Sequence, residues 1–262
     1  APFSADPAKA AGEINGWINA ATRGHIPKLV TPDMLSQIGW VLTSALYMNA
    51  KWATPFDAGK TVKAPFTVAG TAAARVQVPF MNGIDNWASS AGWQAVSLPY
   101  AGGKVTMTAL LPPAGAAAAG GCAMPSPATL AAITRQLSQP PNRESGASVS
   151  LPKLHLNTSG DTGDMKAVLQ RLDMGLAFSG QADFTALSPQ ACCIGFVRQA
   201  ATLDVGEKGT VAAAAAAVGI VATSGVFAPH FVVFNRPFLV LVSATGTGEP
   251  LFLAEVANPA TS

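Results

Sequence analysis

Charge is scarce in this chain. Asp, Glu, Lys and Arg make up only 11% of its 262 residues, and the net charge is +2. Like charges do not cluster, which argues against a nucleic-acid footprint and against a polybasic membrane anchor. Long hydrophobic runs are also missing. No stretch of about 18 apolar residues is free of Gly, Pro and charge, so no transmembrane helix and no membrane partner are expected. The nearest candidate, residues 211–221, is too short and too rich in alanine. Cysteine is limited to Cys122, Cys192 and Cys193. An odd count with two adjacent members argues against a disulfide framework and reads as free thiols. Without a CxxC or a Cys/His set, neither a metal site nor another cofactor is expected.

Catalytic signatures are equally thin. The chain contains no GxSxG, SxxK or HExxH, and His25, His155 and His230 are isolated from one another in sequence. A recognised enzyme chemistry is therefore not expected. Ala58-Gly-Lys-Thr61 imitates the end of a phosphate-binding loop, but the first glycine of that motif falls on Thr54. The chain opens Ala-Pro-Phe-Ser-Ala-Asp-Pro, with neither an initiator Met nor a signal peptide. That opening reads as a processed chain or a fragment.

What the chain does have is apolar mass, with 49% hydrophobic residues, enough for a sizeable core. Ile14, Trp17, Ile18 and Ala21 recur at helical spacing, which predicts a helix over 9–23 ended by Gly24. Residues 38–48 form a near-continuous apolar run and read as a strand buried on both faces. Further strands are expected at 75–80, 94–98, 105–111 and 148–156. Two more, 231–243 and 250–256, are joined by the turn Thr245-Gly-Thr-Gly. Helices are expected at 128–137 and 165–172, and the Ala/Gly/Pro stretch 114–127 reads as a mobile loop. The pattern is one α+β domain dominated by sheet.

One segment resists an ordinary reading. From Glu207 to Pro229 the chain runs Glu-Lys-Gly-Thr-Val, six alanines, then Val-Gly-Ile-Val-Ala-Thr-Ser-Gly-Val-Phe-Ala-Pro. The alanines suit a helix or a low-complexity loop, yet the β-prone Val-Gly-Ile-Val that follows breaks the helix. The flanks resolve the matter. Glu207-Lys-Gly-Thr210 before small residues resembles the hinge of the serpin family. Phe234-Asn-Arg-Pro-Phe-Leu-Val-Leu-Val242 resembles the signature strand that follows the family's bait loop. Gly248-Glu-Pro-Leu-Phe-Leu253 and Val256-Ala-Asn-Pro259 resemble its C-terminal end. Upstream, Ile14-Asn15, Trp17, Thr22, Gly24 and Ile26 resemble the helix over its main sheet, and Asn49-Ala-Lys-Trp52 with Pro55-Phe56 resembles a strand with a buried Trp. Ser97-Leu-Pro-Tyr100, Leu110-Leu-Pro-Pro113 and Leu151-Pro-Lys153 fall in the same order as in the family.

The resemblance implies a serpin-like fold: large β-sheets, covering helices and an exposed reactive-centre loop. It implies one domain over 1–262, the C-terminal two-thirds of the family domain, with the loop at about 207–230. It further implies a suicide inhibitor, not an enzyme. A serine protease attacks the loop, becomes trapped as a covalent acyl complex, and the cut loop enters the main sheet as a new strand. Hinge residues must then be small, because alternate side chains pass between two strands into a packed interior. Gly209 permits the turn, and Thr210, Ala212, Ala214 and Ala216 form the inward set, with Glu207 ahead of them. Thr210 needs a partner for its buried hydroxyl. Val211 replaces a common acidic residue at an outward position.

Counting from the hinge puts the reactive bond at Thr223–Ser224, and counting back from Asn235 puts it at Val226–Phe227. The hinge sets the inserted length, which favours the first; Gly209 to Thr223 spans about 46 Å as a strand. A small β-branched residue in either place implies an elastase-like or subtilisin-like protease and an extracellular setting. Trp52 marks the top of the sheet-opening region. Ser44 and Gln199 stand where the family usually has Asn and His at the sheet centre, and Ala254 occupies a usual glycine. The first third of the family domain is not matched. A fragment of this kind is expected to expose apolar surface and to need the missing N-terminal segment or a partner chain. A non-inhibitory carrier and a truncated inactive product are the competing readings.

Overall fold

The computed structural model describes residues 5–36, 40–70, 74–115, 117–118, 121–140, 146–157, 165–187, 192–210 and 230–260. In chain order the elements begin α1 (Pro7–Ala21), α2 (Pro32–Leu35), β1 (Val41–Tyr47), β2 (Ala50–Lys51), β3 (Val62–Thr67), β4 (Arg75–Ser90), β5 (Trp93–Pro99) and β6 (Val105–Leu111). The short β7 (Ala117–Ala118) and β8 (Gly121–Cys122), α3 (Pro127–Leu137), β9 (Gly146–Pro152), β10 (Leu154–Asn157) and α4 (Lys166–Leu169) follow. The last are β11 (Phe196–Gly206), β12 (Gly209–Thr210), β13 (His230–Val233), β14 (Phe238–Ala244) and β15 (Pro250–Val256). They gather into two compact units, Ala1–Met48 with Leu156–Leu203, and Asn49–His155 with Asp204–Ser262.

In the first unit, Asp6 caps α1 by accepting a hydrogen bond from the Lys9 backbone N–H at 2.9 Å, and Pro7 takes the first helical turn. The helix stops at Ala21, short of the expected end, because Arg23 and Gly24 both turn to positive φ. The polar residues of the motif hold the segment after the helix. Asn15 donates to Val30 O at 2.8 Å and accepts from Leu29 N and Val30 N at 2.8 and 3.1 Å. Thr22 Oγ1 donates to Ile18 O and accepts from Ile26 N. Ile18, Ile26 and Leu29 pack with Ala200, and Ile14 and Ala45 join them, so α1 lies over a strand pair. That pair is β1 and β11, parallel, in register from Val41↔Phe196 through Ser44↔Gln199 and Ala45↔Ala200 to Tyr47↔Thr202. β1 is not buried on both faces as expected. Val41 and Ala45 pack under helices, whereas Leu42 on the opposite face is 49% exposed. The helix expected at 165–172 begins as α4 and runs on into a π-helical turn over Gln170–Met174, which kinks where Leu172 and Asp173 leave helical geometry and Asp173 takes a φ of 62°.

The second unit is built on an eight-stranded sheet in the order β13-β9-β4-β5-β6-β14-β15, with β3 also paired to β4. The strand expected at 75–80 continues as β4 to Ser90. Its first residues pair with β3, its middle with β9 and its last residues with β5. The turn Ala91-Gly92 has positive φ at both residues (49° and 80°), the geometry of a two-residue hairpin. α3 is capped by Ser126, whose Oγ accepts from Thr129 N, and Ile133 packs on Ala88, Trp93, Ala95, Leu110 and Leu239. Within the stretch expected to be a mobile loop, Ala117–Ala118 pairs with Gly121–Cys122. The strand expected at 148–156 is two strands, β9 and β10, interrupted after Pro152, which lacks a backbone donor. The strand expected at 231–243 is likewise split. Phe234 buries its ring against Phe238, and Pro237 leads into β14. Arg236, between them, donates from Nη2 to Pro112 O at 2.8 Å, which ties two of the sequence motifs together.

Candidate hinge site

β11 ends at Gly206, and the two residues Glu207 and Lys208 turn the chain back into β12. Val205 pairs with Thr210 and Gly206 with Gly209, so this is a tight two-residue hairpin. The returning strand also pairs on its far side with β2, Gly209 opposite Lys51 and Thr210 opposite Ala50. β12 is therefore a central strand two residues long. Gly209 is obligatory here for two separate reasons. Its φ is +142°, and a Cβ added to it meets Ala50 O at 2.2 Å and Lys51 Cα at 2.6 Å.

The turn is fastened by groups from the connecting segments around it. Trp52 donates from Nε1 to Gly206 O at 2.8 Å and from its backbone N–H to Lys208 O at 3.0 Å. Phe56 N donates to Glu207 O at 2.8 Å. The Glu207 carboxylate receives the Lys153 ammonium at 2.7 Å and the Thr61 hydroxyl at 2.8 Å, both on Oε1. Burial pushes the pKa of Glu207 upward. The hydrogen bonds from Lys153, its own backbone and Thr61, with the lysine charge, outweigh that and hold it below the usual glutamate range.

Thr210 is fully buried, and its Oγ1 shares a 2.7 Å hydrogen bond with the Tyr100 hydroxyl. Tyr100 is itself buried and stacks on Trp52, with ring centroids 4.4 Å apart. Burial raises the Tyr100 pKa to about 12, partly offset by the bond to Thr210, so the phenol stays protonated and able to donate at neutral pH. Thr210 thus presents a small, buried side chain whose hydroxyl is partnered.

The structure brings together Glu207, Gly209, Thr210 and Trp52. In the other unit it sets Ser44 opposite Gln199 in the parallel register. The hinge alanines Ala212, Ala214 and Ala216, and both candidate bonds, Thr223–Ser224 and Val226–Phe227, lie outside the described residues. Sequence reasoning gave no role to Tyr100, Thr61 or Lys153. Tyr100 and Lys153 do close two of the quoted motifs, and that was the available signal; Thr61 had none. Among the described residues, no three His, Cys, Asp or Glu side chains gather as a metal site would need, and no helix is long and apolar enough to cross a membrane.

Thr210 is paired as a strand residue, and its buried hydroxyl is bonded to a protonated tyrosine. Residues 1–259 match the family model described as Serpin (serine protease inhibitor). The chain belongs to the serpin family. It is 29% identical to Serpin B6 of Macaca fascicularis over 266 residues, a match covering 96% of this chain and 66% of that protein. The chain thus spans slightly less than two-thirds of the length of that relative. The structure of human kallistatin superimposes with a TM-score of 0.78 at 26% identity, over 97% of this chain and 65% of that one. Human thyroxine-binding globulin in complex with its hormone superimposes with a TM-score of 0.78 at 25% identity, over 98% of this chain and 66% of the other. The α+β serpin fold follows directly from these matches.

Proposed function

We propose that this serpin inhibits serine proteases by loop insertion, with residues 207–230 serving as the reactive-centre loop of a single serpin domain. The observation that carries the reading is β12. Gly209 and Thr210 already stand as a strand between β11 and β2, so the first step of insertion has an anchored start. Continuing that strand means separating β1 from β11 along their register, past Ser44 and Gln199 near its middle. The inward set Thr210, Ala212, Ala214 and Ala216 offers small side chains to the opening. Those side chains lose little rotamer freedom and bring no charge into the interior.

In this mechanism the protease serine Oγ attacks the carbonyl carbon of Thr223. The C–N bond to Ser224 breaks, and the protein's new amino terminus leaves with a proton from the protease histidine. The ester that remains is carried with the inserting strand before water resolves it. Val226–Phe227 is the alternative bond. Thr or Val at the cleaved position fits a small apolar specificity pocket, hence an elastase-like or subtilisin-like target, met outside the cell.

The likeness to thyroxine-binding globulin supports a second reading, a non-inhibitory carrier. Inhibition by the unsubstituted protein separates the two readings, and one variant then tests the hinge. Replacing Thr210 with Arg forces a guanidinium into the space now filled by the Thr210–Tyr100 pair. If the inhibitor reading holds, Thr210→Arg turns the protein from an inhibitor into a substrate that is cleaved and released. Undiminished inhibition by the variant rules out insertion through this hinge.

A further inference from the structure

Cys192 and Cys193 are adjacent in the chain and lie two residues ahead of β11. Cys192 is exposed and Cys193 is part-buried. The neighbouring Cys193 thiol raises the Cys192 pKa above the usual thiol range. The backbone is held firmly from the next residue onward. Ile194 N donates to Ala177 O at 3.0 Å, Gly195 N donates to Trp40 O at 2.9 Å, and Phe196 opens the parallel register opposite Val41. Two consecutive thiols, the first open to solvent, thus sit just ahead of a segment whose backbone is fixed.

We propose that Cys192 and Cys193 form a redox-responsive dithiol that closes into a vicinal disulfide and, when reduced, chelates a trivalent arsenical. The oxidant is a small-molecule disulfide such as oxidised glutathione. The Cys192 thiolate attacks one of its sulfurs, the S–S bond breaks, and one glutathione leaves as thiol. Cys193 then attacks the Cys192 sulfur of the mixed disulfide and expels the second glutathione. Two protein thiols are oxidised by two electrons, one glutathione disulfide is reduced to two thiols, and the chain loses two hydrogens. Consecutive Cα atoms stand about 3.8 Å apart across a trans peptide, below the roughly 4.4–6.8 Å usual for a disulfide. The closed ring is therefore strained and easily reduced, which makes it a reversible switch and not a structural staple. An arsenical inserts one atom between the sulfurs and relieves that strain. Phenylarsine oxide reacts without redox change: two As–S bonds form, and its oxygen leaves as water with both thiol protons. The raised thiol pKa makes both reactions slow at neutral pH and faster in mild alkali.

Ring closure twists the Cys192–Cys193 peptide, and the Ile194 and Gly195 hydrogen bonds are the first to feel it. The switch is a property of these residues whether or not the protein inhibits a protease. The test uses the full chain carrying Cys122→Ser, treated with oxidised glutathione and weighed intact. The expected product is lighter by two hydrogens, keeps no glutathione and is restored by dithiothreitol. One phenylarsine group binds per reduced chain, and Cys193→Ser abolishes it. Amide exchange at Ile194 and Gly195 quickens in the oxidised form. A persistent glutathione on Cys192 with Cys193 still open to alkylation, or exchange unchanged at both amides, overturns the proposal. If Cys122→Ser does not fold, peptide mapping of the oxidised unsubstituted chain decides instead. A link inside the Cys192–Cys193 peptide supports the dithiol, and a link to Cys122 refutes it.

Discussion

Removing the Tyr100 hydroxyl tests the hinge lock most sharply. Tyr100→Phe leaves ring stacking on Trp52 intact but deprives the buried Thr210 hydroxyl of its 2.7 Å partner. Both groups are buried, Thr210 at 0% and Tyr100 at 1% exposure, so water does not replace the lost bond. Leaving one buried hydroxyl unpaired costs about 1–3 kcal/mol. Thr210→Val, the complementary change, strands the tyrosine hydroxyl at a similar cost. Replacing both removes the need for a bond altogether, and the double variant is expected near the unsubstituted protein. The two single costs therefore fail to add, with a coupling of about 1–3 kcal/mol. The assay is urea unfolding of the four proteins, followed by tryptophan fluorescence with Trp52 as a local reporter. Single effects that sum within about 0.5 kcal/mol show that the two hydroxyls do not depend on each other, and the hinge lock described above is then wrong.

Further expectations attach to neighbouring residues. The depressed pKa of Glu207 means that its contribution to stability is present above the ordinary glutamate pKa of 4.5 and is lost as pH falls through the lower folded value. Glu207→Gln should flatten that acid limb of the melting temperature, and an unchanged limb removes Glu207 as its source. Gly209→Ala puts a Cβ into the Ala50 carbonyl and should detach β12. Accelerated amide exchange at Thr210 is the readout, and retained protection contradicts the close approach. Burial raises the Asp85 pKa to about 8, so between pH 3.8 and 8 the folded chain keeps a proton that the unfolded chain gives up. Stability falls with rising pH across that window. Asp85→Asn should remove the slope and be most stabilising at pH 8; a slope that persists places it elsewhere.

Much of the hinge was legible because its residues are constrained by things that leave marks in sequence. Gly209 has no substitute where a backbone passes at 2.2 Å from its missing Cβ. Thr210 must be small and inward, and a short hairpin places it so. Gly24 marked the end of α1 because its positive φ leaves a glycine in the sequence, while Asn15 and Thr22, quoted only within a motif, hold the segment after the helix. Tyr100, Thr61 and Lys153 escaped a role because each reaches the hinge from a segment far away in the chain. Pairing across 110 residues, as between Tyr100 and Thr210, has no local signature. Strand ends were misjudged for a different reason. Apolar periodicity does not register Pro152 or the Phe234–Pro237 break, where a missing donor or a buried ring ends pairing within an otherwise apolar run. β1 looked buried on both faces because apolar content says how much surface a strand offers, not how many of its faces are covered.

The most direct measurement is to incubate the protein with an elastase-type protease, resolve the mixture on a denaturing gel and weigh the released C-terminal peptide. A loop-insertion inhibitor gives a denaturant-stable complex, with the peptide beginning at Ser224, or at Phe227 if the second bond is used. Cleavage without any stable complex contradicts inhibition and leaves a substrate-like serpin, in line with the carrier reading.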